Sequence, residues 1–313
     1  MIDDLALGPG REFEAIRAIV ERLGARARGI GDDAAIVKMP RGDSLVVSVD
    51  SAIEGRHFRR HWLSPRDVGY RSVAAALSDL AAMAARPLGV LLALGVPGSW
   101  RDSLLDIADG IAEAVDAART VIVGGNLTDA GELSITTTVL GSAYAPLTRA
   151  GARPGDRVYV TGRLGGPGSA LAALDAGGAT PPDAYRRFAR PEPRLTEADW
   201  LADRGATAAI DISDGLTADL AHLAAASKAT ITVDVERVPI MSYAERMAAL
   251  SSGEEYELIV TAAGLIDAAE FERRFALPLT EVGVVSHSAE VGQLVLRRNG
   301  EPVEAPRGHD HFA

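Results

Sequence analysis

The chain has no cysteine among its 313 residues. That excludes disulfides, a thiolate nucleophile, a cysteine-based zinc site and an iron–sulfur cluster. It also has no excess of basic residues. Lys and Arg number 32 against 43 Asp and Glu, for a formal net charge of −11. A non-specific nucleic-acid binder needs the opposite balance, so no nucleic-acid partner is expected. No long apolar run is present either. The most apolar window, 73–96, is broken by Asp79, Arg86 and Pro87 and reads as a helix followed by a strand, not a membrane span. The opening MIDDLALGPG lacks the basic and apolar regions of a secretory leader, and a cytoplasmic location is expected. The glycines of GRLGGPGSALAAL (162–174) are not followed by Lys-Ser/Thr, so there is no Walker A loop.

What is present is ordinary globular composition, 47% hydrophobic and 24% charged, in a chain long enough for two domains. The most informative stretch is LVVSVDSAIEGRHF, residues 45–58. Its Val-rich first half reads as a buried strand that breaks at Asp50, with Ser51, Glu54, Arg56 and His57 close behind. Polar groups crowded at a strand end mark a ligand site in many α/β and α+β proteins, although a plain polar turn gives the same pattern. The pattern recurs. Asp32 and Asp33 stand side by side in GIGDDAAIV (29–37), and Asp79 lies on an Ala-lined face of a helix expected over 64–86. Asp211, Ser213 and Asp214 fall in AIDISDGL (209–216). A turn, a solvent-facing helix position and an N-cap account for single members of this set. An N-cap does not account for Asp211, inside an apolar run.

Periodicity predicts further helices over 12–23, 103–118, 196–204, 216–227 and 268–275. Strands are predicted over 88–96, 121–123, 133–140, 157–161, 231–235 and 280–285, the last entering a hairpin that closes on 293–298. GGNLTDAG (124–131) reads as a glycine turn at a strand end, where Asn126, Thr128 and Asp129 can meet a ligand. Adjacent strands among alternating ones suggest α+β, with a boundary within 144–154. Scattered Asp and Ser oxygens, with no Cys and no Ser-His-Asp arrangement, suit Mg²⁺ held by carboxylates together with phosphates. That chemistry belongs to phosphoryl transfer, which is mostly positioning and charge neutralisation. An ATP- and Mg²⁺-dependent enzyme without a P-loop is the reading the residues favour.

Five stretches in order, GIGDDAA (29–35), VVSVDSAIEGRHF (46–58), ALSDLAAMAA (76–85), IDISDGL (210–216) and SGEEYEL (252–258), resemble the thiamine-monophosphate kinase family. GGNLTDAG, GARPGDRVYVTG (151–162) and the closing GHDHF agree with it. The resemblance implies two domains, combining α+β and α/β architecture. An N-terminal mixed-sheet domain (1–148) binds ATP and Mg²⁺ and pairs in a homodimer to form a β-barrel, and a C-terminal α/β domain (149–313) follows. It implies Mg²⁺ at Asp32, Ser48, Asp50, Asp79, Asp211 and Asp214, with positions Val49 and Asn126 in the same set. Gly125, Asn126, Arg149 and Ser213 would contact ATP, and His57, Glu254 and His309 would contact thiamine monophosphate. The implied reaction is direct transfer of the γ-phosphoryl group of ATP to thiamine monophosphate.

This chain departs from the family pattern at Val49 (usually Thr), Asn126 (usually Asp), Glu255 (usually Asp) and His309 (usually aromatic). Those departures leave two alternatives standing: a related ATP-dependent enzyme with another phosphate acceptor, and a nucleotide-binding paralogue with weak catalysis. Absent cysteines disfavour the selenophosphate-synthetase and hydrogenase-maturation branches of the same superfamily.

Overall fold

The computed structural model describes residues 35–38, 42–287 and 292–309. The helix expected over 12–23, together with Asp32, Asp33 and His311, lies outside them. Two mixed sheets and the helices that cover them make the fold. The first sheet contains β1 (Ala35–Lys38), β2 (Ser44–Ile53), β3 (Arg86–Val96), β4 (Ile122–Asp129) and β5 (Ser134–Ala143), in the order β1-β2-β5-β3-β4. Only β3 and β4 run parallel.

One face of this sheet is covered by α1 (Pro65–Ala82) and α2 (Leu104–Ala117). Ser64 caps α1, accepting the Asp67 N–H at 3.1 Å, with Pro at the first helical position as the sequence predicts. The two helices cross in close contact. A Cβ on Gly69 would lie 2.1 Å from the Ile107 carbonyl oxygen, and one on Gly110 1.8 Å from that of Arg66. No other residue fits either position. Leu77 and Leu80, fully buried in this core, each contribute ~2 kcal/mol through area removed from water.

The second sheet has the order β12-β11-β8-β10-β6-β9-β7. Its strands are β6 (Arg157–Thr161), β7 (Ala206–Asp211), β8 (Ala229–Asp234), β9 (Leu258–Ala262), β10 (Leu279–His287), β11 (Gln293–Arg298) and β12 (Glu301–Val303). One face packs on α6 (Leu216–Ser227), through Leu220 and Leu223 against Ile210, Ile231 and Val233. The other takes α5 (Leu195–Asp203) and α8 (Ala268–Phe275), where the Trp200 and Phe271 rings meet at 5.5 Å. Ala81 and Ala82 of α1 join this second core, so α1 is the wall shared by both halves. Helices α3 (Gly166–Asp175) and α4 (Pro182–Ala189) place Ala170 and Phe188 in the first core, and α7 (Arg246–Ser251) lies beside α6. Among the described residues, no helix is long and apolar enough to cross a membrane.

Three expectations are corrected. The strand through Asp50 does not break there but runs on to Ile53. GGNLTD is not a turn; it is the body of edge strand β4. β10 and β11 form no hairpin, because β8 lies between them and β11 pairs parallel with β8 and antiparallel with β12. The second sheet is mixed, every pair in it except β8–β11 being antiparallel.

Candidate active site

Alternation along β2 sends its even-numbered side chains toward α1. Ser44 and Val46 are fully buried there. Two residues on, Ser48 Oγ donates to Asp79 Oδ2 at 2.5 Å. Asp50 follows on the same face, one of its oxygens accepting the Ser51 N–H at 2.7 Å. From α1, Arg71, Ser78 and Asp79 stand at i, i+7 and i+8 and so share a helix face. Ser78 Oγ donates to Asp211 Oδ2 at 2.6 Å, bringing the last residue of β7 to this face. Arg71 is buried, forms an ion pair with Glu254, donates Nη1 to the Phe188 carbonyl and lies 4.3 Å from the Phe188 ring centre.

Two loops of the second half are stitched together here. The Ile212 N–H donates to the Glu257 carbonyl at 2.8 Å, the Glu254 N–H to Ser213 at 2.7 Å and the Tyr256 N–H to Ile212 at 2.9 Å. Glu254 and Tyr256 hold left-handed backbone, at φ 61° and 52°. Such conformations cost roughly 1–3 kcal/mol each and persist where surrounding contacts enforce them. The Asp219 carboxylate accepts the N–H groups of Ser213, Asp214 and Gly215 at 3.1, 3.2 and 3.1 Å, and so fixes the turn that opens α6. The C-terminal segment closes over that turn: the His309 N–H donates to the Asp214 carbonyl at 2.9 Å, and Thr217 Oγ1 donates to the Pro306 carbonyl at 2.8 Å.

The electrostatics place these groups in one another's field. Burial pushes the Tyr256 hydroxyl well above its ordinary pKa; Arg71 opposes the rise, while Glu254, Asp50 and Asp211 add to it. Burial works against the Arg71 charge, but Glu254, Tyr256 and Asp50 outweigh it and raise the pKa of the guanidinium. Burial lowers His222 to about 4, and the charge of Arg149 beside it adds to the fall. Behind the loop, burial pushes Glu255 up to about 7 although Arg187 stands 3.4 Å away and the Gly165 N–H 2.5 Å away. Glu257 is equally buried, but Arg194 grips it at 2.9 and 2.7 Å and holds its carboxyl below the usual range.

Thus Ser48, Asp50, Asp79, Asp211, Ser213, Asp214, Glu254 and the His309 backbone meet along the shared wall α1 and the two stitched loops. Arg149 is beside them through His222. His57 lies in the turn after β2, where its Nδ1 accepts the Ile53 N–H at 3.1 Å, so the neutral ring carries its proton on Nε2. Three expected members stand apart. The row Asp50, Thr137, Leu92, Gly125 crosses the first sheet, and the next row ends on Asn126. Gly125 and Asn126 are therefore three strands from β2, on the order of 14 Å at ordinary strand spacing. Asn126 shares a face with Ala93, and Val49 is 62% exposed on that same open face. Val49 brings no side-chain donor to that face.

The sequence reading missed Arg71, Ser78, Tyr256, Asp219 and His222. The i, i+7, i+8 spacing of Arg71 and Ser78 with Asp79 was the available signal for the first two. Asp214, Asp219 and His222 have ligand atoms within 4.8 Å of one another, although Asp219 already serves three N–H groups as a scaffold.

Each half matches a family model: AIR synthase related protein, N-terminal domain, over residues 31–143, and AIR synthase related protein, C-terminal domain, over 153–294. The two sheets and the acidic wall between them are thus of the AIR synthase-related class. The thiamine-monophosphate kinase of Escherichia coli (strain K12) is 35% identical, with 97% of this chain and 96% of that protein covered. That of Bacillus subtilis (strain 168) is 30% identical, with 96% and 99% covered. Among solved structures, AaThiL complexed with AMPPCP and TMP superposes with a TM-score of 0.84 at 29% identity, covering 97% of each chain. The hydrogenase maturation protein HypE in complex with ATP, at 20% identity and TM-score 0.73 over 95% of this chain and 96% of that one, shares the fold alone. The chain belongs to the thiamine-monophosphate kinase family.

Proposed function

We propose that this chain transfers the γ-phosphoryl group of ATP to thiamine monophosphate, giving thiamine diphosphate and ADP. The observation that carries the reading is the meeting of Ser48, Asp50 and Asp79 from the first half with Asp211, Ser213 and Glu254 from the second. A phosphate oxygen of thiamine monophosphate attacks the γ-phosphorus. The bond from that phosphorus to the bridging oxygen breaks, and ADP leaves with the electron pair. No side chain needs to become covalently attached, so the chain's task is to hold two anions in line.

The donor set fits Mg²⁺. Asp50, Asp79, Asp211 and Asp214 are hard-oxygen carboxylates, and Ser48 adds a hydroxyl within hydrogen-bond reach of Asp79. These five would hold the ions, together with Asp32. Bound Mg²⁺ would neutralise phosphate charge and keep the triphosphate extended. Ser213, at the turn that opens α6, and Arg149, beside His222 of that helix, would face the ATP phosphates. Glu254, His309 and the Nε2–H of His57 would orient thiamine monophosphate. We keep 1–148 and 149–313 as the two domains.

The open face of the first sheet supports a homodimer. Val49 is 62% exposed and Leu91 36% exposed on that face, and Val123 is 53% exposed on edge strand β4. Two such faces packed together would bury an apolar surface that a monomer leaves in water, and closing them into a barrel would remove the free edge of β4. The contacts expected of Gly125 and Asn126 belong to that interface, since their strand is remote from Asp50 within one chain.

The test is direct. Purified protein with ATP, Mg²⁺ and thiamine monophosphate is assayed chromatographically for thiamine diphosphate. Product formation supports the reading. ATP binding by calorimetry with no thiamine diphosphate sinks it in favour of a different acceptor or, where no acceptor is turned over, of a nucleotide-binding paralogue with weak catalysis.

A further inference from the structure

Arg71 has no part in the donor set, yet it lies among it. It projects from the same face of α1 as Ser78 and Asp79. Its guanidinium reaches across to the second half, pairing with Glu254, while Nη1 is held on the Phe188 carbonyl and the central carbon lies over the Phe188 ring, 4.3 Å from its centre. Those two anchors fix the direction of the fork before any ligand arrives, and a planar fork loses little freedom in binding a carboxylate. Glu254 is on strained left-handed backbone, tied to Ser213 by its N–H. Its side chain is therefore directed by the backbone tie from one side and by Arg71 from the other. A cation buried only to join two halves is costly, because an apolar pair of similar volume does the same work at equal or better stability.

We propose that Arg71 is a positioning residue for the phosphoryl acceptor, holding the Glu254 carboxylate in the orientation that receives thiamine monophosphate. This rests on the reading of Glu254 as an acceptor contact. The effect is confined to one substrate. Arg71 acts on the Glu254 side chain, while the backbone at Ser213 is also held by Asp219 and that at Arg149 by Ser227 Oγ, which donates to its carbonyl at 2.5 Å.

The experiment compares wild type, Arg71→Gln, Arg71→Lys, Glu254→Gln and the Arg71→Gln/Glu254→Gln double variant, with KM for each substrate and kcat measured separately. Binding of AMPPCP with Mg²⁺, measured by calorimetry, serves as the folding control. Arg71→Gln is expected to raise KM for thiamine monophosphate at least tenfold and to leave KM for ATP within about twofold. Arg71→Lys, which keeps the charge and loses the fork, should recover part of that rise. The double variant should be no worse than the poorer single variant, since both changes remove the same orientation. Equal rises in both KM values, or effects that multiply in the double variant, overturn the proposal and leave Arg71 as a staple between the halves. Should Arg71→Gln fail to bind AMPPCP, the decision falls to Arg71→Lys: a rise confined to thiamine monophosphate upholds the proposal, and no change overturns it. A wild-type protein that makes no thiamine diphosphate removes the functional reading itself, and this proposal with it.

Discussion

Ser78 Oγ donates a 2.6 Å hydrogen bond to Asp211 Oδ2, from the wall helix of the first half to the strand end of the second. Both residues are buried. The bond holds one carboxylate oxygen still and leaves the rest of that group's acceptor capacity for other partners. Replacing Ser78 with Ala should lower stability by about 1–3 kcal/mol, the usual effect of removing a partner from a buried charged acceptor. It should also raise the Mg²⁺ concentration needed for half-maximal turnover, on the order of tenfold, as loss of a ligand's hydrogen-bond support does at metal sites. Thermal unfolding and a Mg²⁺ titration of the initial rate measure the two effects separately. An unchanged Mg²⁺ requirement would show that Ser78 only joins the halves.

Asp79 is met by Ser48 at 2.5 Å and sits one residue from Ser78. It stands where the two halves share their polar groups. Asp79→Asn keeps the shape and an acceptor oxygen while removing the charge. Turnover should fall at least a hundredfold, because neutralising phosphate charge is most of what such a site does. The melting temperature in the absence of nucleotide should stay within a few degrees of wild type. Steady-state assays with differential scanning calorimetry check both. Turnover within tenfold of wild type would remove Asp79 from the proposed ion-binding set.

The legibility of this site was uneven for physical reasons. Asp50 and Asp211 stood out because a carboxylate inside an apolar run is expensive unless something pairs with it. The continuation of β2 to Ile53 was hidden, since Asp50 toward α1 and Ser51 on the open face put two polar residues side by side, which looks like a turn. GGNLTD misled for the opposite reason. Glycine reads as a breaker, yet a Cβ on Gly125 would lie 2.3 Å from the Leu92 carbonyl oxygen, so the close parallel pairing of β3 and β4 requires glycine inside a strand. The false hairpin between β10 and β11 reflects tertiary order, because β8 enters between strands adjacent in sequence. Arg71 and Ser78 were passed over because their helical spacing from Asp79 shows a shared face but does not name the partners they meet. Their partners Glu254 and Asp211 lie 183 and 133 positions further along the chain.

Glu255 and His222 predict a pH response of the free protein. Glu255 is raised from 4.5 to about 7 when folded, so the folded state binds the extra proton between those values and stability falls as pH rises through that window. His222 is lowered from 6.5 to about 4, so the unfolded state binds the extra proton there and stability falls as pH drops from about 6.5. The two slopes oppose each other where the windows overlap. Glu255→Gln removes one of them and should uncover the other. Stability of the variant, followed by urea unfolding at a series of pH values without metal or nucleotide, should decline steadily on acidification below pH 6.5. At pH 8 the variant should exceed wild type, where Glu255 is charged and buried. An identical pH profile for the two proteins would mean that Glu255 does not titrate in this range.

The open face of the first sheet gives the last prediction. Val49, Thr138, Leu91 and Gly124 form one row across it, on the side away from α1. Leu91 is 36% exposed, so an Asp there keeps contact with water in a monomer and should lower its stability by roughly 1 kcal/mol. Between two packed copies the same charge would be buried without a partner, and each copy would bring one. Leu91→Asp should therefore convert a dimer into a monomer at micromolar concentration without unfolding it. Sedimentation equilibrium with far-ultraviolet circular dichroism reads both properties. If Gly125 and Asn126 act from the interface, the monomer should also lose turnover while retaining the Ser48–Asp79 and Ser78–Asp211 contacts. A variant that stays dimeric would place the interface elsewhere. A monomer with full activity would show that the Asp79 and Asp211 cluster works without β4 of any copy.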